Sequence, residues 1–391
     1  MAKKQNERQG KLIDSIVKSN TSRTRKGIKD WRSALQQAEN VENPKRVLLY
    51  NVYEEIIIDA HLSAEIQKRK LAITGSDFYM LDADGENDEE VRKLLATSWF
   101  KKFLDLSMDS IFWGHSLIQI ELGTENNIDT LKLYPRKHVR PEKGLVVSKQ
   151  MDDDGTFYRQ EQFEKLLLEV GETDDLGLLN KCTPHVLYKR FATGAWSEFT
   201  EVFGSPLRVG KTTSRDTESL NKMMDMLEGM GASAYGVIDK DEEIQFVESN
   251  KTDGNIYENL MKTCNSEISK LINGAVIGEA TQEGSRAKEQ VGADISRQIT
   301  LGDMQMLEGY VNGQLIPKLR NLGVAIPEGY TFEFERGKDT EGLFSRVKEI
   351  LQYKDVDNDF ITEQFGIPVT DKAPLTLPTN ATAKVDDDFF Q

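Results

Sequence analysis

The chain has 391 residues and a formal net charge of −15, from 65 acidic against 50 basic side chains. That length suits two or three domains, or one elongated subunit with a real core, while the acidity argues against tight wrapping of nucleic acid, which needs clustered Lys and Arg. Cys182 and Cys264 lie far apart and the four histidines are scattered, which supplies neither a disulfide framework nor a zinc spacing.

The start, MAKKQNERQG, lacks the apolar core of a signal peptide, and the longest candidate apolar run, Ile56-Ile57-Ile58, is far too short to span a bilayer. A soluble product of a reducing cytoplasm is expected. Residues 1 to 32 carry Lys3, Lys4, Arg8, Lys11, Lys18, Arg23, Arg25, Lys26, Lys29 and Arg32 against Glu7, Asp14 and Asp30. Such a basic arm suits DNA, a neighbour's acidic face, or simply solvent.

Residues 44 to 72 follow one helical pattern (Val47, Leu48, Val52, Ile56, Ala60, Leu62, Ile66, Leu71) closed by Gly75, and Asp77 to Leu81 reads as a short strand. A second helix is expected from Glu89 to about Trp113, then the alternating strand Ser116 to Leu122. Residues 128 to 150 and 156 to 190 read as strands with loops, among them LKLYP, GLVVSK and PHVLYKRF, and Trp196 to Phe203 as helix. From Pro206 a strand to Gly210 is expected, then a helix capped by Ser214 with Leu220, Met223, Met224, Leu227 and Met230 inward, and strands Ala234 to Ile238 and Glu243 to Val247. This β-α-β-β insert, about 45 residues, is too small to stand alone and should pair with copies of itself.

Ile256, Leu260, Cys264, Ile268, Leu271 and Ala275 then form one apolar helical stripe. After Ser285 a longer run, Ala287 to Tyr310 with no proline before Pro317, allows roughly 45 Å of helix. Between them Gly278 to Gly284 has no apolar period and reads as a mobile loop. The end, from Lys372 through Pro374, Pro378, Asp386-Asp387-Asp388 and Phe389-Phe390, reads as a linker with a docking tail or a frayed terminus.

Several motifs fail on inspection. Asp82-Ala-Asp84-Gly85 lacks the spacing of a calcium loop, with Lys93 where the closing Glu is required, and Asp152 to Gly155 reads as a turn, so no metal site is expected. His61, His115, His138 and His185 read as satisfied structural histidines. Gly204 to Thr212 has five residues before its Gly-Lys-Thr where a phosphate loop has four, leaving a nucleotide-hydrolysing protein as an alternative beside a helical adaptor or scaffold.

Trp196-Ser-Glu-Phe-Thr-Glu-Val-Phe-Gly-Ser-Pro-Leu-Arg-Val-Gly-Lys211 resembles the portal proteins of tailed bacteriophages, in the version typified by phage Mu. Ile244-Gln-Phe246, Cys264 to Gly274, Gly284 to Ala287, Phe360 to Pro368, Asp59 to Ala72 and Ser110 to Ile120 are similar too, in order over residues 45 to 370. The loop after Ile277 lacks that family's usual Thr-Thr, and the two terminal segments lie outside its pattern.

The resemblance implies an α+β, portal-like elongated subunit with a helical stem, a small α/β clip and a long wing helix. Its parts would be a basic arm (1–40), the first part of a wing (41–190), a stem helix (191–203), a clip (204–250), a second stem helix (254–276), a tunnel loop (277–286), a long wing helix and strand (287–335), a crown-like helical segment (336–370) and an acidic tail (371–391). It also implies a homo-oligomeric ring, expected to have twelve subunits, at a virion capsid vertex and assembled in the host cytoplasm. Twelve helices about 10 Å apart leave a bore of roughly 27 Å, wide enough for B-form DNA, whereas six leave roughly 9 Å. An acidic channel repels phosphate and lets a duplex slide without sequence specificity.

The bore-facing residues expected are Gly278, Glu279, Gln282, Glu283 and Gly284 of the loop with Lys262, Glu267 and Lys270 of the stem, Arg286 or Lys288 offsetting the repulsion locally. Pro206, Arg208, Gly210 and Lys211 mark the clip. No catalytic residue, cofactor or metal is expected. The partners implied are the major capsid protein, a terminase (packaging ATPase) that supplies the energy, a head-tail adaptor that later takes the same surface, and double-stranded DNA, with no membrane.

Overall fold

A capping aspartate decides where the first long helical pattern breaks. The computed structural model describes residues 26–123, 128–203, 208–212, 216–229, 235–239, 255–276, 286–336 and 340–368, and it begins with helix α1 (Ile28–Ala38), α2 (Val47–Ile56) and α3 (Ala60–Thr74). The stretch expected as one helix over 44 to 72 is therefore two, because Asp59 takes up extended backbone and its carboxylate accepts from Leu62 N–H, starting a new helix. After β1 (Phe78–Leu81) the turn at Asp82 forms as expected, with Asp82 Oδ1 accepting from the backbone N–H of Asp84 and Glu86.

The helix expected from Glu89 to Trp113 is likewise divided, into α4 (Glu89–Leu95) and α5 (Ser98–Trp113). Thr97 caps the second by accepting from Phe100 N–H at 3.3 Å. β2 (Ser116–Leu122) and β3 (Ile128–Leu133) follow. The short strands β4 (Val139–Arg140), β5 (Leu145–Val146) and β6 (Thr156–Phe157) make a separate antiparallel sheet. A single helical turn, α6 (Glu161–Glu164), leads to β7 (Leu167–Val170), which joins β2 to give the antiparallel order β3-β2-β7.

The largest departure comes next. Residues 178 to 190, expected as strand and loop, belong to α7 (Leu178–Phe203), 26 residues long. Leu179, Cys182, Val186 and Leu187 bury at helical spacing, and that burial carries the helix through Pro184, which lies beyond the first turn and forgoes one ladder bond. The Thr183 hydroxyl donates to Leu179 O at 2.7 Å in the same turn.

β8 (Arg208–Thr212), α8 (Thr217–Glu228) and β9 (Tyr235–Asp239) form a β-α-β unit with parallel strands. Asp216, not Ser214, caps α8 by accepting from Ser219 N–H at 3.1 Å. Met224, expected inward, is exposed, because on α8 only Leu227 is buried, while Ser214, Met230 and the strand expected over Glu243 to Val247 lie outside the described residues.

Two long helices complete the first unit, α9 (Asn255–Asn273) and α10 (Arg286–Tyr310). A wide π turn (Val311–Leu315) carries α10 into α11 (Ile316–Asn321), so the helical run passes Pro317, whose missing N–H is tolerated in a first turn. β10 (Thr331–Phe334) then pairs antiparallel with β1, Phe78 opposite Phe334.

One face of the β3-β2-β7 sheet, through Ile118, Ile120, Leu168 and Val170, packs on Phe103, Leu104, Met108, Leu307 and Val311. The other, through Leu117 and Leu167, packs on Tyr134, Val146 and Tyr158. That is the period-two alternation of a sheet covered on both sides. A second large core joins α1, α2 and α3 to Leu179, Cys182 and Val186 of α7 and Ile268 and Ile272 of α9.

The chain divides into compact units at residues 1–335 and 336–391. In the second, α12 (Thr340–Ile350) and α13 (Asn358–Phe365) meet through the rings of Phe344 and Phe365, 5.9 Å apart edge to face.

Candidate functional site

Helices α7 and α9 run antiparallel. Thr193 meets Met261 (Oγ1 to Sδ 3.3 Å), and further along α7 the Phe199 ring meets that of Tyr257 at 6.0 Å, so one chain rises as the other falls. The pair is fastened to the body on its inner side. Lys189 pairs with Asp59 at 2.8 Å and Arg190 with Glu55. His61 Nε2 lies 2.9 Å from Ser269 Oγ and 3.0 Å from Asn265 O, and Asn273 donates to the Glu65 carboxylate.

Lys262, Glu267 and Lys270, three of the residues expected in a channel, are on the solvent side of α9. Lys262 pairs with Glu258 and Lys270 with Glu267, each at 2.7 Å and within the helix. The Lys270 hydrogen bond holds the Glu267 carboxyl below its ordinary value. Every charge in these pairs is matched by its neighbour, so this face presents alternating rather than single-sign charge.

α9 ends at Gly274, where φ is +74° and the N–H donates to Lys270 O at 2.9 Å. A Cβ at this position would stand 2.6 Å from Ile299 Cδ1 and 2.7 Å from Ile295 Cγ2. Only glycine serves both the left-handed backbone and the close approach of α10. Gly278, Glu279, Gln282, Glu283 and Gly284 lie outside the described residues, and Arg286 opens α10.

Arg69 ties the two ends of that segment together. Its guanidinium grips Asp303 of α10 and donates to Ile272 O at the end of α9. Periodicity singles out neither Arg69 nor Asp303. The available signal is an acid at Asp303 beside Met304 and Leu307, on the buried side of an otherwise ordinary helix.

In the β-α-β unit, Arg208, Gly210 and Lys211 lie within β8, opposite Tyr235, Val237 and Ile238. A Cβ on Gly210 would meet Met223 Sδ at 2.8 Å, so the glycine lets α8 settle on the strand. Pro206 lies outside the described residues. Lys211 and Thr212 stand in a parallel ladder, and α8 begins only at Thr217. A phosphate loop needs its Lys-Thr at the opening of a helix, so this segment does not form one.

Two of the histidines are buried and satisfied. His138 Nδ1 contacts Val147 O at 3.0 Å, and His115 Nε2 lies 2.9 Å from Glu169 Oε1. Cys182 and Cys264 are free and buried, and burial pushes the Cys182 thiol up to about 12. Among the described residues no His, Cys, Asp and Glu cluster suits a metal, and no helix is long and apolar enough to cross a membrane.

Residues 50–367 match the family described as the portal protein of Mu bacteriophage. The chain belongs to this Mu-type portal family. It is 23% identical over 360 residues to the portal protein of Escherichia phage Mu, covering 83% of this chain and 69% of that one. It is 22% identical over 280 residues to the Mu-like prophage FluMu protein gp29 of Haemophilus influenzae, covering 66% and 54%.

Among solved structures, this chain is similar to an HK97 family phage portal protein from Corynebacterium diphtheriae (TM-score 0.40, 11% identity, 78% of this chain and 97% of that one). It is also similar to a chain of a native gene transfer agent virion (TM-score 0.49, 10% identity, 88% and 100%). The α+β class implied by the resemblance is the one observed, and the family it named is the one matched.

Proposed function

We propose that copies of this portal-family chain close into a ring, expected to have twelve members, at one vertex of a phage capsid, and that double-stranded DNA is packaged and ejected through its centre. The ring assembles in the host cytoplasm. The observation that carries the reading is the way α9 and α10 are locked on both sides of residues 277–285. Gly274 jams one helix against the other, and Arg69 holds both. Such anchors fix the two helix ends between which residues 277–285 run, a firm base for a segment proposed to meet a passing duplex.

Within that reading, residues 191–203 and 254–276 serve as stem, 204–250 as clip, 277–286 as tunnel loop, 41–190 and 287–335 as wing, and 336–370 as crown. The acidic balance supports sliding, because matched or negative charge gives phosphate nowhere to settle. The clip is the surface for the packaging ATPase and afterwards for the head-tail adaptor, and the wing meets the major capsid protein. The chain itself does no chemistry, and the geometry at Lys211 supports that.

Negative-stain imaging of the purified full-length chain tests the reading. Closed annuli with a central hole of duplex width are expected. A folded product that stays monomeric or dimeric at all concentrations, and with capsid components added, overturns it.

A further inference from the structure

The β1-β10 sheet has both of its edges stopped. Asn312 bonds the N–H and the C=O of Phe332 at 2.7 and 2.9 Å, and Glu308 accepts from Phe334 N–H at 2.9 Å. On the far side Met80 is held by the Asn87 side chain and by Asp88 N–H. Edges stopped in this way cannot add a strand. β7, the last strand of the β3-β2-β7 sheet, is treated differently.

Ile120 N–H donates to Leu166 O at 2.8 Å, which sets the alternation of hydrogen bonds along the antiparallel pair. Leu168 and Val170 bond to β2, so Leu167, Glu169 and Gly171 direct their backbone groups outward. Gly171 N–H meets the Tyr310 hydroxyl at 3.0 Å, and just before the strand Lys318 Nζ donates to Glu164 O at 2.6 Å. Between these two stops the N–H and C=O of Leu167 and Glu169 have no hydrogen-bond partner among the described residues.

Leu167 and Glu169 line a groove of about 620 Å³. Arg159 and Glu161 form one wall, and Gly313 and Gln314 of the π turn, with Lys318 of α11, form the other. A π turn within a helix often marks a functional site, and this one borders the groove. A Cβ on Gly313 would meet nothing within 4 Å, so that wall leaves room.

Charge selects what enters. Arg159 is already paired with Glu169, and Glu161, Glu164 and Lys165 are exposed, where solvent screens them. Lys318 is half-buried and meets only the Glu164 carbonyl, with no carboxylate within ion-pair distance among the described residues, and burial lowers its pKa. A small anion would satisfy that amine and leave the strand edge unmade. A nucleic acid has no row of amides to offer the edge.

We infer that the open edge of β7 takes up an extended segment of another polypeptide as an added strand, bonded to Leu167 and Glu169 and carrying a carboxylate side chain against Lys318. The inference assigns a partner-binding site and holds whether or not the chain closes into a ring.

Disulfide tethering to the full-length chain tests it. Asn321→Cys places a thiol at the groove, and the native Cys182 and Cys264 are buried and give a quiet background. The probe is the peptide Cys-Gly-Thr-Val-Asp-Val-Thr, equilibrated in a thiol–disulfide buffer and counted by mass spectrometry. Its capture should exceed about tenfold that of the fully N-methylated peptide, which keeps the side chains and loses every strand donor. Replacing its Asp by Lys should lower capture about tenfold, and Lys318→Gln should erase that preference.

Equal capture of the N-methylated peptide overturns strand addition, and equal capture of the Asp and Lys peptides overturns the acidic occupant. Capture by lone subunits that vanishes in annuli makes a neighbouring copy the occupant. Capture that rises about tenfold on deletion of residues 371–391 makes it the chain's own end. Either result overturns the assignment to another polypeptide.

Discussion

Arg69 on α3 and Asp303 on α10, 234 residues apart, meet through two parallel hydrogen bonds, Nε to Oδ2 at 2.7 Å and Nη2 to Oδ1 at 2.8 Å. The remaining guanidinium nitrogen donates to Ile272 O at 2.6 Å, where α9 ends. Three helices thus share one planar cation, whose fork geometry a lysine cannot reproduce.

Removing one partner leaves the other charge buried and unpaired. Asp303 is only 6% exposed, so Arg69→Ala should cost about 3 to 5 kcal/mol of unfolding free energy, far more than Lys93→Ala in its solvent-exposed pair with Glu90. Chemical denaturation of both variants measures the difference. Similar small losses in the two would mean that the Arg69 contact contributes little.

Gly274→Ala should destabilise by about 2 kcal/mol or more, because it combines a left-handed backbone with a methyl 2.6 Å from Ile299 Cδ1. The two parts are separable. Adding Ile299→Val removes that Cδ1 and should return part of the loss, while the backbone penalty of about 1 kcal/mol stays. A double variant no more stable than Gly274→Ala would show that the clash is relieved by movement elsewhere.

Stability should fall with acid in two overlapping steps. Burial alone would raise the Glu169 carboxyl, but hydrogen bonds from His115, Arg159 and Tyr158 outweigh it and hold the group at about 2. A carboxyl depressed in the folded state contributes stability above its unfolded pKa and loses it as pH drops from about 4.5 toward 2. Burial also lowers His115, so protonation of the unfolded chain starts the decline below about 6.5. Melting curves from pH 7 to pH 3 should therefore slope downward, and Glu169→Gln, less stable at pH 7, should have a shallower slope below pH 5. An unchanged slope in that variant would place the acid sensitivity in other carboxylates.

Deleting residues 278–284 should leave the helices on both sides folded, since their locks at Gly274, Arg69 and Asp303 lie outside the deleted segment. Annuli should still form in negative stain, and packaging or retention of DNA should drop. Normal infectious yield from the deletion would remove the loop from the mechanism.

Local rules reached far along this chain. The alternation from Ser116 to Leu122, the turn at Asp82, the helix carrying Ile256, Cys264 and Leu271, which stops at Asn273 short of Ala275, and the helix with Leu227 inward are short-range patterns, and each appears as an element of that type, although Met224, expected inward on the last, is exposed. Ordered motifs over residues 45 to 370 also carried the family, since they depend on residue identity rather than on contacts.

Boundaries and partners did not follow from the same rules. Asp59 and Thr97 are compatible with a helix interior until their side chains cap the next one, and Pro184 invites a break that burial of Leu179, Cys182 and Val186 overrides. The pairing of β1 with β10 and the junction of Arg69, Ile272 and Asp303 bring together groups more than 200 residues apart. Amino-acid order alone settled periodicity, composition and kinship, because these are properties of neighbours in the chain. Only the folded chain decided which charges are buried and which strand edge stays open, because both are set by whatever packs against a residue from elsewhere in the chain.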